Sequence, residues 1–320
     1  MSHEKDRETE RKGIPMTTEE LIQHFLKNHD VVDSTRKVYS YALSYFYRWM
    51  ITTGRQADKP TRADILAYKQ ELKARLMPST IGMYLSAVKS FFTFLSEIGY
   101  YENVAYGIKT VKKMNRFARD PLTVENVRKL LQSINREKIT DYRDYCIMSI
   151  LYHNALRIVE VSRIRHRDID LAGKQMSIIG KGRDNFDIVP INENVCKAIE
   201  EYIQQKIDHD LFIDNDSYLI QPHANKSKER SRICSNDMSA IVSKRLKAAG
   251  LKTRRVTGHS LRHSAATHLI IAGELDIYAV SLFLRHRDLN KTRLYTHHVE
   301  QMKLHGNPPT AFLQTYLNQS

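Results

Sequence analysis

The chain has 320 residues, enough for two domains of ordinary size, and an apolar fraction of 42%, enough for buried cores and too high for wholesale disorder. Fifty lysines and arginines against 36 aspartates and glutamates give a net charge of +14, a field that attracts nucleic acid first and acidic membrane surface second. Three widely spaced cysteines, Cys146, Cys196 and Cys234, argue against a disulfide framework and a cysteine-rich zinc site, and neither a signal core nor a long apolar run stands in the sequence. A cytoplasmic protein with no membrane span is the expectation.

Residues 1–15 are polar and predict a disordered N-terminus. A helical pattern follows. "STRKVYSYALSYFYRWM" opens on Ser34, a good N-cap residue, and "PTRADILAYKQEL" opens on Pro60 and Thr61, another start signal. In "STIGMYLSAVKSFFTFL", Ile81, Tyr84, Leu85, Val88, Phe91, Phe92 and Leu95 fall on one helical stripe. These aromatics read as core, and residues 16–107 predict an all-helical bundle. "KTVKKMNRFARD" lacks an apolar stripe, so 108–120 reads as a basic linker able to lie along a phosphate backbone. Arg36, Lys89, Lys112, Lys113, Arg116 and Arg183 are the candidate DNA-binding residues.

Helical sequence resumes at "PLTVENVRKLLQSI" and gives way to "DIDLAGKQMSIIGKGRDNFDIVPI". There "AGK" and "GKGRDN" are turn signals between short β-prone runs, which predicts a three-stranded antiparallel sheet with Lys181 in its second turn. From residue 193 onward the sequence is helix-rich again. The fold class is mainly α with a small antiparallel β-sheet: a helical domain, then a mixed α/β domain over 121–308 and a C-terminal tail over 309–320.

Four clusters carry groups suited to chemistry. In "NALRIVEVSRIRHRDID", Arg157 and Glu160 are three apart and share a helix face, the spacing of a weak surface ion pair. In "IIGKGRDNF", glycines flank Lys181 and let it approach a ligand closely. In "GHSLRHSAATHL", His259 and Arg262 share a face, with His263 and His268 nearby, and the pattern fits no zinc motif, so no metal is expected. In "SLFLRHRDLNKTRLYTHHVE", His286 and Tyr295 sit among Arg285, Arg287, Lys291 and Arg293.

Taken in order, the set Arg157, Lys181, His259, Arg262, His286 and Tyr295 resembles the catalytic set of the tyrosine recombinases, the phage integrases and their Xer-like relatives. "LRIVEV", "GKG" before "VPI", "HSLRHSAATHL" and "LRHRDLNKTRLYTH" match successive motifs of that family. The resemblance implies a core-binding domain over 16–107, a catalytic domain over 121–308 and no cofactor. It implies double-stranded DNA sites as partners and a homotetramer on two sites, joined through C-terminal segments; any accessory protein is left open. Two domains would clamp the duplex.

Arg157 and Arg262 would clamp the scissile phosphate, Tyr295 would attack it, and His259 would accept the phenolic proton. Lys181 would protonate the departing 5′-oxygen, His286 would bond the phosphate or order Tyr295, and Glu160 would orient Arg157. The outcome is a 3′-phosphotyrosyl link and strand exchange through a Holliday junction. Surrounding cations are expected to favour the Tyr295 phenolate. Two departures stand out: Arg285 where the family usually has glycine, and "HNA" where it prefers Thr-Gly before the first arginine. A type IB topoisomerase-like relaxase and a non-catalytic DNA-binding regulator are the competing readings.

Overall fold

The computed structural model describes residues 16–111, 120–180, 186–223, 231–273, 275–286, 288–290, 292–293, 295–296 and 299. The chain forms two compact units, Met1–Asn115 and Arg116–Ser320. The predicted disordered start, most of the predicted linker and the predicted tail lie outside the described residues.

The first unit holds α1 (Thr18–Asn28), α2 (Asp33–Thr52), α3 (Arg62–Arg75) and α4 (Pro78–Glu97). Thr17 and Glu20 close a reciprocal cap at the start of α1, and Thr61 and Asp64 do the same for α3. Ser34 does not cap α2: the N-cap is Val32, with no side-chain bond, and Ser34 lies inside the helix. What fixes that start is Arg36, whose Nη1 pairs with Asp33 at 2.5 Å while Nε donates to Leu26 O at 2.8 Å and Nη2 to Val31 O at 3.3 Å. Arg36 thereby satisfies carbonyls left open between α1 and α2. All seven stripe residues of α4 are buried, and they join Phe25, Phe46 and Tyr68 in an aromatic core. Phe46 meets Tyr68 edge-on, ring centroids 4.9 Å apart, the geometry aromatic quadrupoles prefer.

The second unit runs α5 (Val124–Gln132), α6 (Ile139–His153), α7 (Ile158–Val161), a 3₁₀ turn at His166–Asp168, β1 (Ile169–Asp170), β2 (Gln175–Ile179), β3 (Phe186–Pro190), α8 (Glu193–Asp208), α9 (Ser235–Ala248), α10 (Gly258–Ala272) and α11 (Ile277–Phe283). The sheet is antiparallel in the order β1-β2-β3, with Met176 opposite both Ile169 and Val189. In the β1–β2 turn the Gly173 amide donates to Asp170 Oδ1 at 2.8 Å, and a Cβ on Gly173 would fall 2.2 Å from Oδ2, so a larger residue would push the Asp170 carboxylate off that amide. Helix α6 packs against α8, α9 and α10, and its Cys146, Ile147, Met148, Ile150 and Leu151 are all buried. It is the central rod of the second core.

One charged cluster pins α9 to that rod. Arg245 reaches Asp141 at 2.5 Å and Asp144 at 2.6 Å, and Arg143 takes the other Asp144 oxygen at 2.7 Å. Burial pushes the Asp141 carboxyl up, but hydrogen bonds from Arg245 and the Lys138 amide outweigh it and leave the carboxyl below its ordinary value. Arg245→Met should lower the unfolding free energy by about 3 kcal/mol at pH 7, read from urea denaturation. Asp141's share of that stability is fully present above its unfolded pKa of about 3.9 and is lost as pH falls through its lower folded value. The gap between wild type and variant should therefore narrow below about pH 4.

Candidate active site

The site begins where α6 ends. Asn154 caps that end and its Nδ2 donates to Pro190 O at 2.6 Å, tying α6 to β3. The next residue, Ala155, turns the chain with φ of 47° and leads into Arg157. Asn154 and Ala155 stand in for the Thr-Gly pair, so the left-handed turn is kept without glycine.

Arg157 is the N-cap of α7 and Glu160 its third residue. The Arg157 amide donates to Glu160 Oε2 at 2.8 Å and its Nη1 donates to Oε1 at 2.6 Å. This is not the weak surface pair that the spacing suggests, because the Glu160 side chain is wholly buried. Arg285 Nη2 also reaches Oε2, at 3.3 Å. Burial alone would raise the Glu160 carboxyl, but the Arg157 amide, Arg285 and the Arg157 guanidinium together hold it below its ordinary value.

Arg262 lies on α10 with a side chain 5% exposed. Its Nη1 donates to Ala155 O at 2.6 Å and its Nη2 donates to Leu284 O, the carbonyl preceding Arg285. One guanidinium thus joins both turns at which the sequence departs from the family pattern. Burial, then Arg157 and Arg285, push the Arg262 pKa down to about 9, with Glu160 opposing, so the group stays cationic at neutral pH. Helix α10 is itself anchored at two points: Ser264 Oγ accepts from the Leu122 amide at 2.7 Å, and His268 Nε2 donates to Leu122 O at 3.0 Å. His268 Nδ1 lies 2.9 Å from the Tyr152 hydroxyl, so this histidine is structural.

Tyr295 is 3% exposed and packs with Ala155, Ala265, Ala266, Val280 and Leu284. Its hydroxyl lies 2.6 Å from His263 Nδ1, and the His286 ring stacks near it at 6.3 Å between centroids. His286 Nδ1 is 2.8 Å from the buried Thr292 hydroxyl, which orients the ring. Arg262 and Arg157 do draw the Tyr295 pKa down, as cations should, but burial outweighs them and the group is pushed up to about 12. The expected phenolate therefore gives way to a neutral phenol with the His263 imidazole in contact.

The structure brings together Arg157, Glu160, Arg262, His286 and Tyr295 through these contacts and packing. His259 lies exposed on the first turn of α10. Lys181 and Arg183 fall between β2 and β3, outside the described residues, as do Lys112, Lys113 and Arg116. Arg36 uses all three guanidinium nitrogens within its own unit, and Lys89 Nζ donates to Ile108 O at 3.0 Å. The sequence motifs do not single out His263 as a partner of Tyr295. Its spacing from Arg262 places it on the adjacent face, and only the packing of residues after α11 shows which face meets Tyr295.

A helical unit followed by a mixed unit that gathers arginines around a buried carboxylate and a tyrosine is an integrase-type architecture. The family model for the phage integrase family matches residues 121–302, and that for the phage integrase N-terminal SAM-like domain matches residues 19–98. The chain belongs to the phage integrase family. It is 28% identical to tyrosine recombinase XerD of Listeria monocytogenes serovar 1/2a, over 87% of this chain and 93% of that one. It is 32% identical to tyrosine recombinase XerC of Halalkalibacterium halodurans, over 68% of this chain and 71% of that one. Its fold is shared with the XerH site-specific recombinase crystallised on palindromic difH substrate after cleavage, with a TM-score of 0.72, 19% identity and coverage of 91% and 84%.

The buried phenol gives a direct test. Tyr295→Phe should remove one phenolate absorbance change with a midpoint near 12 from the alkaline titration, above the value of about 10 for free tyrosine. Between about pH 10 and that midpoint the unfolded chain releases this proton and the folded chain keeps it, so stability falls with pH. The variant should lose that part of the decline in thermal melts over the same window.

Proposed function

We propose that this chain is a site-specific DNA recombinase that cleaves and rejoins strands through a 3′-phosphotyrosyl intermediate. The observation that carries the reading is Tyr295 held 2.6 Å from His263 in the same buried cluster as Ala155 and Leu284, whose carbonyls anchor Arg262. Family membership and the tyrosine recombinases among its relatives support it.

The chemistry follows from the groups. A phosphodiester under attack gains negative charge on its non-bridging oxygens, and preorganised guanidinium forks stabilise that charge. Arg157 and Arg262 supply the forks, with Glu160 holding Arg157 in place. Tyr295 Oη attacks phosphorus, its proton passes to His263 Nδ1, and the bond to the 5′-oxygen breaks. Lys181 gives that oxygen its proton, His286 orders Tyr295, and exposed His259 contacts the phosphate. The covalent link keeps the energy of the broken bond, so the 5′-hydroxyl of a second strand reverses the step and exchange proceeds through a Holliday junction. Four protomers on two DNA sites would complete the cycle in the cytoplasm, the tail at 309–320 docking on a neighbour.

The deciding experiment is a suicide DNA duplex bearing the chain's own site, obtained by selection from a random library. Wild type should accumulate a covalent adduct and then exchange strands between two sites. Tyr295→Phe should bind the duplex equally well and form no adduct. Adduct with relaxation but no exchange would favour the topoisomerase reading, and binding without adduct in wild type would favour a regulator.

Proton transfer separates the two histidines. His263→Ala should slow adduct formation on the order of 10²-fold with DNA affinity unchanged, the size of effect general bases have. If His259→Ala shows that loss and His263→Ala does not, His259 is the base.

A further inference from the structure

Arg285 stands where glycine is usual in the resembling motif, and its backbone is left-handed, with φ of 53°. Glycine adopts that conformation without strain, so what the position gains is the side chain. That side chain is 9% exposed. Its Nη2 is 3.3 Å from Glu160 Oε2, its Nη1 donates to Phe283 O at 2.9 Å, and its Nε has no hydrogen-bond partner among the described residues. A buried guanidinium placed this way, on a strained turn, must be tied to a charge it serves.

The charge is Glu160. Oε1 takes Arg157, whereas Oε2 takes the Arg157 amide and Arg285, with Arg262 Nη1 standing off at 4.0 Å. Arg262 is instead committed to the Ala155 and Leu284 carbonyls. Without Arg285, the next cation available to Oε2 is Arg262, and a move to the carboxylate would take it off both carbonyls. We propose that Arg285 is a positioning residue for strand cleavage: by occupying Glu160 Oε2 it keeps Arg262 on its two backbone anchors and Arg157 on Oε1, so that both forks meet the phosphate in fixed geometry. This rests on the recombinase reading.

The test is the single-turnover rate of adduct formation on the suicide duplex at saturating protein, for Arg285→Gly, Arg285→Asn and Arg285→Lys, each in wild-type and Glu160→Gln backgrounds. Glycine and asparagine both tolerate the left-handed turn, so the fold is kept by at least one of them. Arg285→Gly and Arg285→Asn should slow cleavage by about tenfold or more with DNA affinity within about twofold, at a temperature where thermal melts show each variant fully folded. Arg285→Lys should recover part of the rate. In the Glu160→Gln background the same substitutions should change the rate by less than about twofold, because the shared partner is gone. A wild-type rate in Arg285→Gly overturns the inference alone. So does equal slowing in both backgrounds, which would mean that the residue acts through the adjoining His286 turn. Absence of adduct with the wild-type protein would overturn the recombinase reading, and this inference with it.

Discussion

A single buried carboxylate organises the site. Glu160 is 1% exposed, and taking its charge out of water costs several kcal/mol by itself. That cost is offset only if the surrounding donors have good geometry. The donors come from three places in the sequence: the amide and guanidinium of Arg157 at the start of α7, Arg285 in the turn after α11 and, at longer range, Arg262 on α10. Satisfying one carboxylate therefore fixes where α7, α10 and the segment leading to Tyr295 stand relative to one another. Gly258 helps, since a Cβ there would come 2.5 Å from Ile158 Cδ1, and its absence lets the first turn of α10 close on α7.

Much of this was legible before any coordinates. The α4 stripe is buried residue for residue, because helical periodicity and apolar content report directly on which face turns inward. The three-stranded sheet follows from its turn residues, Gly173 above all. The site motifs were legible as spacing: His259, Arg262 and His263 could be placed on one helix from sequence alone. What was not legible is burial. Arg157 and Glu160 look like an exposed pair until the turn at Ala155 and the side chain of Arg285 enclose them. Arg36 and Lys89 look like free cations until carbonyls nearby in space are found to need donors. Ser34 is a better cap residue than Val32, yet Arg36 and Asp33 decide where α2 starts. In each case burial or a hydrogen bond that composition does not reveal overrode a sound local preference.

The state of Tyr295 illustrates the same competition between neighbours and solvent. Cations nearby favour ionisation, but a phenol packed among alanines, a valine and a leucine has lost the water that would stabilise its charge. Desolvation is the larger effect here, and the hydroxyl is protonated in the free protein. A protonated, covered phenol is chemically quiet. In the proposed cleavage its reactivity would depend on a base within reach, and His263 Nδ1 is 2.6 Å away.

On the proposed reading, in which Arg157 and Arg262 hold the scissile phosphate, the two carbonyls on Arg262 bear on how DNA would be met. A guanidinium carries five N–H bonds. Arg262 directs one each to Ala155 and Leu284, so five minus two leaves three, and Arg157 directs one to Glu160, so five minus one leaves four. Long cationic side chains ordinarily lose about 1.5–2 kcal/mol of rotamer freedom when a ligand immobilises them. Here that freedom is surrendered when the chain folds, and a phosphate bound as proposed would not have to extract it. A diester from any sequence would find the same ready-made fork. Discrimination among DNA sites would then arise away from the reacting centre, in groups that touch bases or sense the bending of the helix.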